Sequence, residues 1–281
     1  MSGFQKNIII SAFSQAVREA AFSPRHNSNL VEGTVATTIS YVAQAFWSNN
    51  RKDPRLDEDG KVCFLLQEQF RGYRNQDGKK QKQKALPLSV LRKLHDLAIS
   101  DLEKAIAWLL IGAIFFAMRS CEYLKTSEQE SSKRTKVITI GDIIFKKGNA
   151  ILHHSSPKLD SADLVMITFK FQKNNRRNQT VHMFNSRDKT LNPVIAWTRV
   201  IQRIRNSIPN FSESTKVCEF LQEDKIIEIN STQARNQLRA VVNLIGEASL
   251  GFGSSDVGLH SIRSGGAMAM FLSGVATIII Q

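Results

Sequence analysis

One stretch of the sequence constrains the fold more than any other: residues 105–118, AIAWLLIGAIFFAM, are apolar nearly all round a helix. A helix of this kind must be surrounded by protein or by lipid. The run is shorter than the ~20 apolar residues that span a bilayer, and so is the other long apolar stretch, residues 265–280. The sequence therefore predicts a buried helix at the centre of a core, and no membrane segment.

Composition narrows the class of protein further. With 281 residues, 42% of them hydrophobic, the chain can bury one sizeable core or two smaller ones. Its 38 basic and 25 acidic residues leave a net charge of +13, which attracts polyanions. Cys63, Cys121 and Cys218 are too far apart for a zinc motif and odd in number for a disulfide framework. We expect an intracellular protein, nuclear or cytoplasmic, that uses no metal or other cofactor.

A polar stretch divides the chain. Residues 74–84, RNQDGKKQKQK, have almost no apolar side chain and cannot form a core. We predict a helical N-terminal domain over residues 1–74, a basic linker over 75–85 and a larger domain over 86–281. The linker lysines fit a solvated segment, and equally a segment that crosses DNA phosphates. These lysines are Lys79, Lys80, Lys82 and Lys84.

The patterning of apolar residues predicts the elements of both domains. Helical periodicity predicts helices over residues 8–21, 34–48, 64–73, 88–99, 101–116, 192–207, 232–249 and 259–274. β-Branched and aromatic residues predict strands over residues 137–145, 150–154, 164–173 and 180–184. The expected fold class is therefore mainly α with a small antiparallel β-sheet (α+β).

Two arginines stand beside strongly apolar helices of the larger domain. Arg119 ends the run IGAIFFAMR and is followed three residues later by Glu122, while Arg263 follows His260 by three residues. A buried guanidinium needs a carboxylate or a phosphate as partner. Structural roles also fit these residues: a helical salt bridge from Arg119 to Glu122, and a hydrogen-bonded core histidine at position 260.

A basic hairpin separates the two arginines along the chain. Residues 167–184, ITFKFQKNNRRNQTVHMF, alternate as two strands around an Asn-Asn turn. The basic residues near this turn are Lys170, Lys173, Arg176 and Arg177. Such charges fit contacts to DNA, and they also fit a solvated turn whose lysines protect a sheet edge.

Taken in order, the motif MRSCEYL, the lysine hairpin and the motif LHSIRSGGAMAMFLSG resemble the tyrosine recombinases. The likeness extends from about residue 84 to the end, and the helical N-terminal part resembles the core-binding domain of that family. The segment FLSGVATIII and the hairpin are most similar to recombinases of mobile elements, such as Cryptons and tyrosine-recombinase retrotransposons. The resemblance implies binding to double-stranded DNA, self-association on DNA, and strand cleavage and rejoining through a 3′-phosphotyrosyl link.

The resemblance also assigns a role to each matching residue of the phosphate site. Arg119 and Arg263 match the two arginines that grip the scissile phosphate. Guanidinium groups suit this role, because they stabilise negative charge on phosphate oxygens without a metal. Glu122 matches the acidic residue that holds the first arginine in place.

Two further residues match groups that move protons. Lys173 matches the hairpin lysine that protonates the leaving 5′-hydroxyl, and Lys170 is the alternative because the register around the turn is open. His260 matches the family's acid/base histidine, and a near-neutral pKa suits histidine to proton transfer.

The sequence departs from the family at the nucleophile. In the family the attacking tyrosine follows the second arginine by a few tens of residues, whereas Tyr41, Tyr73 and Tyr123 all precede Arg263. We therefore expect DNA binding without cleavage in cis, and further sequence beyond Gln281. The alternative is a non-catalytic helical nucleic-acid-binding protein whose arginines form structural pairs. A metal-dependent nuclease is disfavoured, because no carboxylates cluster at metal-ligand spacing.

Overall fold

The computed structural model describes residues 3–22, 28–78, 83–125, 135–171 and 177–276. The chain divides into two compact units, Met1–Lys80 and Gln81–Gln281, and each unit has a hydrophobic core of its own. The described residues form ten α-helices, a four-stranded antiparallel sheet and a separate two-stranded hairpin. The predicted fold class, mainly α with a small antiparallel sheet, is confirmed.

The first unit is built from three helices. They are α1 (Gly3–Arg18), α2 (Glu32–Ser48) and α3 (Phe64–Gln76). Apolar residues at helical spacing meet in a small core of Ile10, Val17, Val35, Ile39, Cys63, Leu66 and Tyr73. The three predicted helices are therefore present, although α1 begins five residues before the predicted start at residue 8.

An ion pair fastens the end of α3 to the rest of the first unit. The guanidinium of Arg18, only 4% exposed, pairs with Asp77, and the other carboxylate oxygen of Asp77 accepts a hydrogen bond from the backbone N–H of Glu32 at 2.6 Å. Helix α3 and its C-cap Asp77 thus extend into the stretch that the composition assigned to a linker.

The second unit is arranged around one central helix. Its helices are α4 (Leu88–Leu97), α5 (Asp101–Phe115), α6 (Ser120–Tyr123), α7 (Pro193–Ser207), α8 (Ser231–Ile245), α9 (Glu247–Leu250) and α10 (Leu259–Leu272). The predicted capping box starts α5, because Ser100 and Glu103 accept each other's backbone N–H. The apolar run then packs against α4, α7, α8 and α10. The expectation of a buried central helix is confirmed.

The four-stranded sheet lies on one side of this core. Its strands are β1 (Ile143–Lys147), β2 (Ala150–Leu152), β3 (Leu164–Phe169) and β4 (Gln179–Phe184), and their order is β2-β1-β3-β4. In the centre of the sheet Val165, Ile167 and Phe169 alternate with half-buried residues and point into the core. The hairpin of β5 (Glu219–Gln222) and β6 (Lys225–Glu228) stands apart from it.

Several element predictions need correction. The predicted strand 137–145 is interrupted by a 3-10 helix, Ile140–Asp142, because Thr139 and Asp142 form a capping box there. The predicted strand 164–173 ends at Phe169. The predicted helix 232–249 ends at Ile245, since Gly246 adopts φ +87°. The hairpin of β5 and β6 was not predicted.

One expectation concerned membranes. None of the helices within the described residues has both the length and the apolar content needed to cross a bilayer.

Candidate functional site

Two glycines bring α10 into contact with the start and the centre of the second unit. A Cβ atom on Gly265 would lie 2.4 Å from the carbonyl oxygen of Leu86, and a Cβ atom on Gly266 would lie 2.1 Å from that of Ile114. Real side chains cannot approach a carbonyl this closely, so the packing requires glycine at both positions. Because Ile114 lies in the last turn of α5, this contact brings α10 towards the loop that carries Arg119.

Glu122 orients Arg119 through both of its carboxylate oxygens. Arg119 is the N-cap of α6. Its backbone N–H donates to Oε2 of Glu122 at 2.7 Å, and its Nη1 donates to Oε1 at 3.2 Å. The side chain of Glu122 is 5% exposed and that of Arg119 is 29% exposed. The carboxylate therefore fixes both the backbone and the guanidinium, while the guanidinium keeps a solvent-facing surface.

Arg263 on α10 shares this site. Burial lowers the pKa of its guanidinium, the positive charge of Arg119 lowers it further, and Glu122 and Cys121 act in the opposite direction. The charges of Arg119 and Arg263 therefore act on each other although the residues are far apart in the chain. Among the described residues, none forms a hydrogen bond or ion pair with the Arg263 side chain.

His260 lies next to Arg263, on the same helix. It is exposed and precedes Arg263 by three residues in the first turn of α10, so the two side chains are neighbours on the helix surface. No described residue forms a hydrogen bond with its ring. The structural reading of His260 as a hydrogen-bonded core histidine is wrong, because the residue is exposed.

Cys121 is a member of the site that the sequence analysis did not identify. Burial raises the pKa of its thiol, and the negative charge of Glu122 raises it further, so the thiol stays protonated at neutral pH. Its position in the sequence, between Arg119 and Glu122, could have identified it as a neighbour of the site.

Lys170, the alternative hairpin lysine, is held by an acidic residue. Its Nζ lies 2.6 Å from Oδ1 of Asp142, whose side chain is only 6% exposed. The other oxygen of Asp142 accepts hydrogen bonds from the backbone N–H of Thr139 at 2.8 Å and from its hydroxyl at 3.1 Å. This pairing joins the end of β3 to the 3-10 helix and gives Lys170 a structural partner that the sequence analysis did not foresee.

Two of the other predicted DNA-binding residues, Arg177 and Lys84, lie within the described part of the second unit. Arg177 is exposed, and its guanidinium carbon lies 5.8 Å from the ring centre of Phe171. Lys84 is also exposed, and its backbone N–H donates to the carbonyl of Asp256 at 2.9 Å. The remaining predicted residues lie outside the described residues: Lys79, Lys80, Lys82, Lys173 and Arg176.

Tyr123 directly follows Glu122, but its environment makes it unsuitable as a nucleophile. The side chain is fully buried, its hydroxyl finds no hydrogen-bond partner among the described residues, and burial raises the pKa of the phenol well above its ordinary value. Within the same described ranges, no group of three histidine, cysteine or acidic side chains is arranged to hold a metal ion. The grouped functional side chains are thus Arg119, Glu122 and Arg263, with His260 beside Arg263.

No family model matches the chain, and no curated protein matches it either. Among solved structures it is similar to complexes of Tn1549 transposon integrase variants. A complex with transposon right end DNA shares 9% identity at a TM-score of 0.54, over 97% of this chain and 74% of that chain. A complex with a circular intermediate DNA shares 10% identity at a TM-score of 0.50, over the same shares of both chains. At this level of identity the likeness shows a common fold.

Proposed function

We propose that this chain is a DNA-binding protein of the tyrosine recombinase type, in which Arg119 and Arg263 together hold one phosphate of double-stranded DNA. The integrase structures that share its fold are complexes with DNA, which supports DNA as the partner. The net charge of +13 favours association with such a polyanion. Such a role places the protein inside the cell, in the nucleus or the cytoplasm.

One observation carries this proposal: two guanidiniums act on each other electrostatically, and among the described residues only Arg119 has a carboxylate as ion-pair partner. Glu122 neutralises Arg119, and Arg263 adds a second positive charge that Arg119 repels. A partly buried excess of positive charge is costly unless an anion compensates it. A phosphate offers several acceptor oxygens, and each guanidinium can donate two parallel hydrogen bonds to it.

The reaction that such a site serves is strand cleavage and rejoining through a 3′-phosphotyrosyl link. The two arginines would stabilise charge on the phosphate in the transition state. His260, exposed one helical turn from Arg263, would exchange the proton of the attacking phenol, and Lys173 would protonate the leaving 5′-hydroxyl. No tyrosine follows Arg263 in the sequence, so we propose that these 281 residues bind DNA without cleaving it, and that copies associate on DNA.

Arg263→Gln is the sharpest test of the phosphate site. Unlike Arg119→Gln, it leaves no buried carboxylate without its partner. Binding to a DNA duplex is measured over a range of salt concentrations. We expect the affinity to fall about tenfold or more, since a charge-assisted contact to phosphate is lost. The slope of log affinity against log salt should become shallower by about one.

Arg199→Gln is the matched control. Arg199 is 47% exposed and already lies near Asp160, so its loss removes the same formal charge without opening the site. If the affinity of the wild-type protein for DNA did not change with salt concentration, binding through contacts between its basic residues and DNA phosphates would be contradicted. Equal effects of Arg263→Gln and Arg199→Gln would contradict a specific phosphate site.

Strand cleavage is tested separately with a nicked duplex, which traps covalent intermediates. We expect no covalent protein–DNA product on a denaturing gel. A covalent product would show that one of Tyr41, Tyr73 and Tyr123 can act as the nucleophile after all.

The alternative, a non-catalytic nucleic-acid-binding protein with structural arginine pairs, is favoured by one observation, the Arg119–Glu122 ion pair. It does not account for Arg263, for which the described residues offer no ion-pair partner. Under this alternative, Arg263→Gln would leave DNA affinity within the range of the control.

A further inference from the structure

Phe171 forms a small aromatic and basic cluster at the end of β3. Its ring is 38% exposed. The ammonium of Lys136 lies 5.1 Å from the ring centre, and the guanidinium carbon of Arg177 lies 5.8 Å from it. Both distances are within the range of cation–π attraction. A partly exposed phenyl ring with two cations over it combines an apolar surface with positive charge in the same place.

This cluster adjoins the arginine site through the backbone. The backbone N–H of Ile138 donates to the carbonyl of Glu122 at 2.9 Å, and the side chain of Thr135 lowers the pKa of the Cys121 thiol. Lys136 lies between these two anchored residues. The segment that places Lys136 over the Phe171 ring is therefore attached to α6, where Glu122 holds Arg119.

We propose that Phe171 stacks against an unpaired DNA base next to the phosphate held by Arg119 and Arg263, while Lys136 and Arg177 contact the flanking phosphates. This inference rests on the proposed function. It assigns to Phe171 and Lys136 a role in binding the part of the duplex that opens when strands are exchanged.

Strand exchange produces unpaired bases that such a contact would bind. A strand can leave one duplex and join another only if base pairs beside the cut open, and an opened base loses its stacking partners. An aromatic side chain can replace that stacking for any base, and cations beside it bind the backbone. The two cations are also the groups that a phosphate would attract away from the ring, which would leave the ring face open to a base.

The test uses the full chain and two DNA duplexes of the same sequence, one fully paired and one with a single unpaired 2-aminopurine. We expect the wild-type protein to quench the fluorescence of the unpaired base and to prefer this duplex about tenfold. Phe171→Leu keeps an apolar side chain but has no aromatic face. It should lose the quenching and the preference while its affinity for the paired duplex stays within about twofold of the wild-type value.

Three control variants separate stacking from charge and from folding. Phe171→Trp should retain the quenching. Phe184→Leu removes another exposed aromatic ring, on β4 of the same sheet, and should change nothing. Lys136→Gln removes a phosphate contact and a cation from the Phe171 ring but keeps the ring itself, so it should weaken binding to both duplexes and leave the quenching in place.

The outcomes distinguish this inference from the proposed function. If the wild-type protein binds the paired duplex with a steep salt dependence but shows no preference for the unpaired base, only the stacking role is overturned. The same holds if Phe171→Leu retains the preference, or if the preference exists for an RNA duplex and not for DNA. If no duplex binds at all, the proposed function itself fails.

Discussion

Glu122 is the residue on which the geometry of the site depends most. Its buried carboxylate accepts one hydrogen bond from the backbone of Arg119 and another from the guanidinium. Its negative charge also raises the pKa of the Arg263 guanidinium, against the effects of burial and of Arg119. The Glu122 carboxylate thus binds the backbone and the guanidinium of Arg119 and also acts on the charge of Arg263. A neutral replacement should therefore affect both stability and anion binding.

Glu122→Gln is expected to lower the free energy of unfolding by about 2 kcal/mol, since a hydrogen bond to a charged group is lost and a partly buried guanidinium is left without its carboxylate. The midpoint of urea denaturation measures the change. Asp160→Asn is the control, because Asp160 is 51% exposed beside Arg199, and a surface substitution of this kind should stay within about 0.5 kcal/mol. Equal effects would show that Glu122 has no special structural role.

How far single residues could be predicted from the sequence depends on the distance over which they interact. The Arg119–Glu122 contact spans three residues, so helical spacing was sufficient to predict it. The electrostatic interaction between Arg119 and Arg263 depends on the packing of α10 against α5. The spacing of residues along the sequence cannot predict that packing. The partners of Lys170 and Phe171, namely Asp142 and Lys136, come from other strands and loops. Only the fold brings them together.

Among the elements, α10 matters most, because it carries Arg263 and is fixed by glycines rather than by large side chains. The carbonyl of Ile114 occupies the space where a Cβ of residue 266 would be. Any side chain there must push α10 away from α5. Such a shift would move Arg263 relative to Arg119, so stability and phosphate binding should change together.

Gly266→Ala is therefore expected to destabilise the second unit by about 3 kcal/mol, the upper range for overpacking a closely packed contact, and to reduce affinity for duplex DNA. Gly72→Ala is the matched control. Gly72 lies within α3, and a methyl group added there would meet no atom within 4 Å, so alanine should stabilise that helix by up to ~1 kcal/mol. Thermal unfolding and DNA titration measure both variants. A Gly266→Ala protein as stable as the wild type would show that the contact is not tight.

Long amphipathic or apolar helices were predicted well because their period repeats over many residues. Helix α7 begins at Asn192 and Pro193 as predicted, since the side chain of Asn192 caps it. The hairpin of β5 and β6 was missed for the opposite reason. Its strands are four residues each, and its turn places Glu223 and Asp224 at positive φ, where glycine or asparagine is the usual signal.

At the scale of the whole molecule, positive charge is distributed unevenly. Residues 81–281 carry ten of the thirteen excess positive charges, and the arginine site and the Phe171 cluster both belong to this unit. The first unit has a smaller core and a nearly balanced charge. The field that attracts a polyanion therefore comes mainly from the second unit.

Because each core is built from residues of one unit alone, a cavity in one core should destabilise that unit. Leu66→Ala and Ile201→Ala each remove a fully buried side chain, from the first and the second core respectively. Each should lower the free energy of local opening by about 3 kcal/mol. Hydrogen exchange of backbone amides, followed along the chain, locates the loss of protection.

We expect Leu66→Ala to reduce protection within residues 3–78, and Ile201→Ala to reduce it within residues 83–276. Loss of protection in both units after either substitution would mean that the two cores unfold as one cooperative system. Repeating the measurement with saturating DNA also tests where DNA binds, because a ligand stabilises the state that binds it. If the arginine site holds the phosphate, DNA should restore protection in the Ile201→Ala protein around α6 and the first turns of α10.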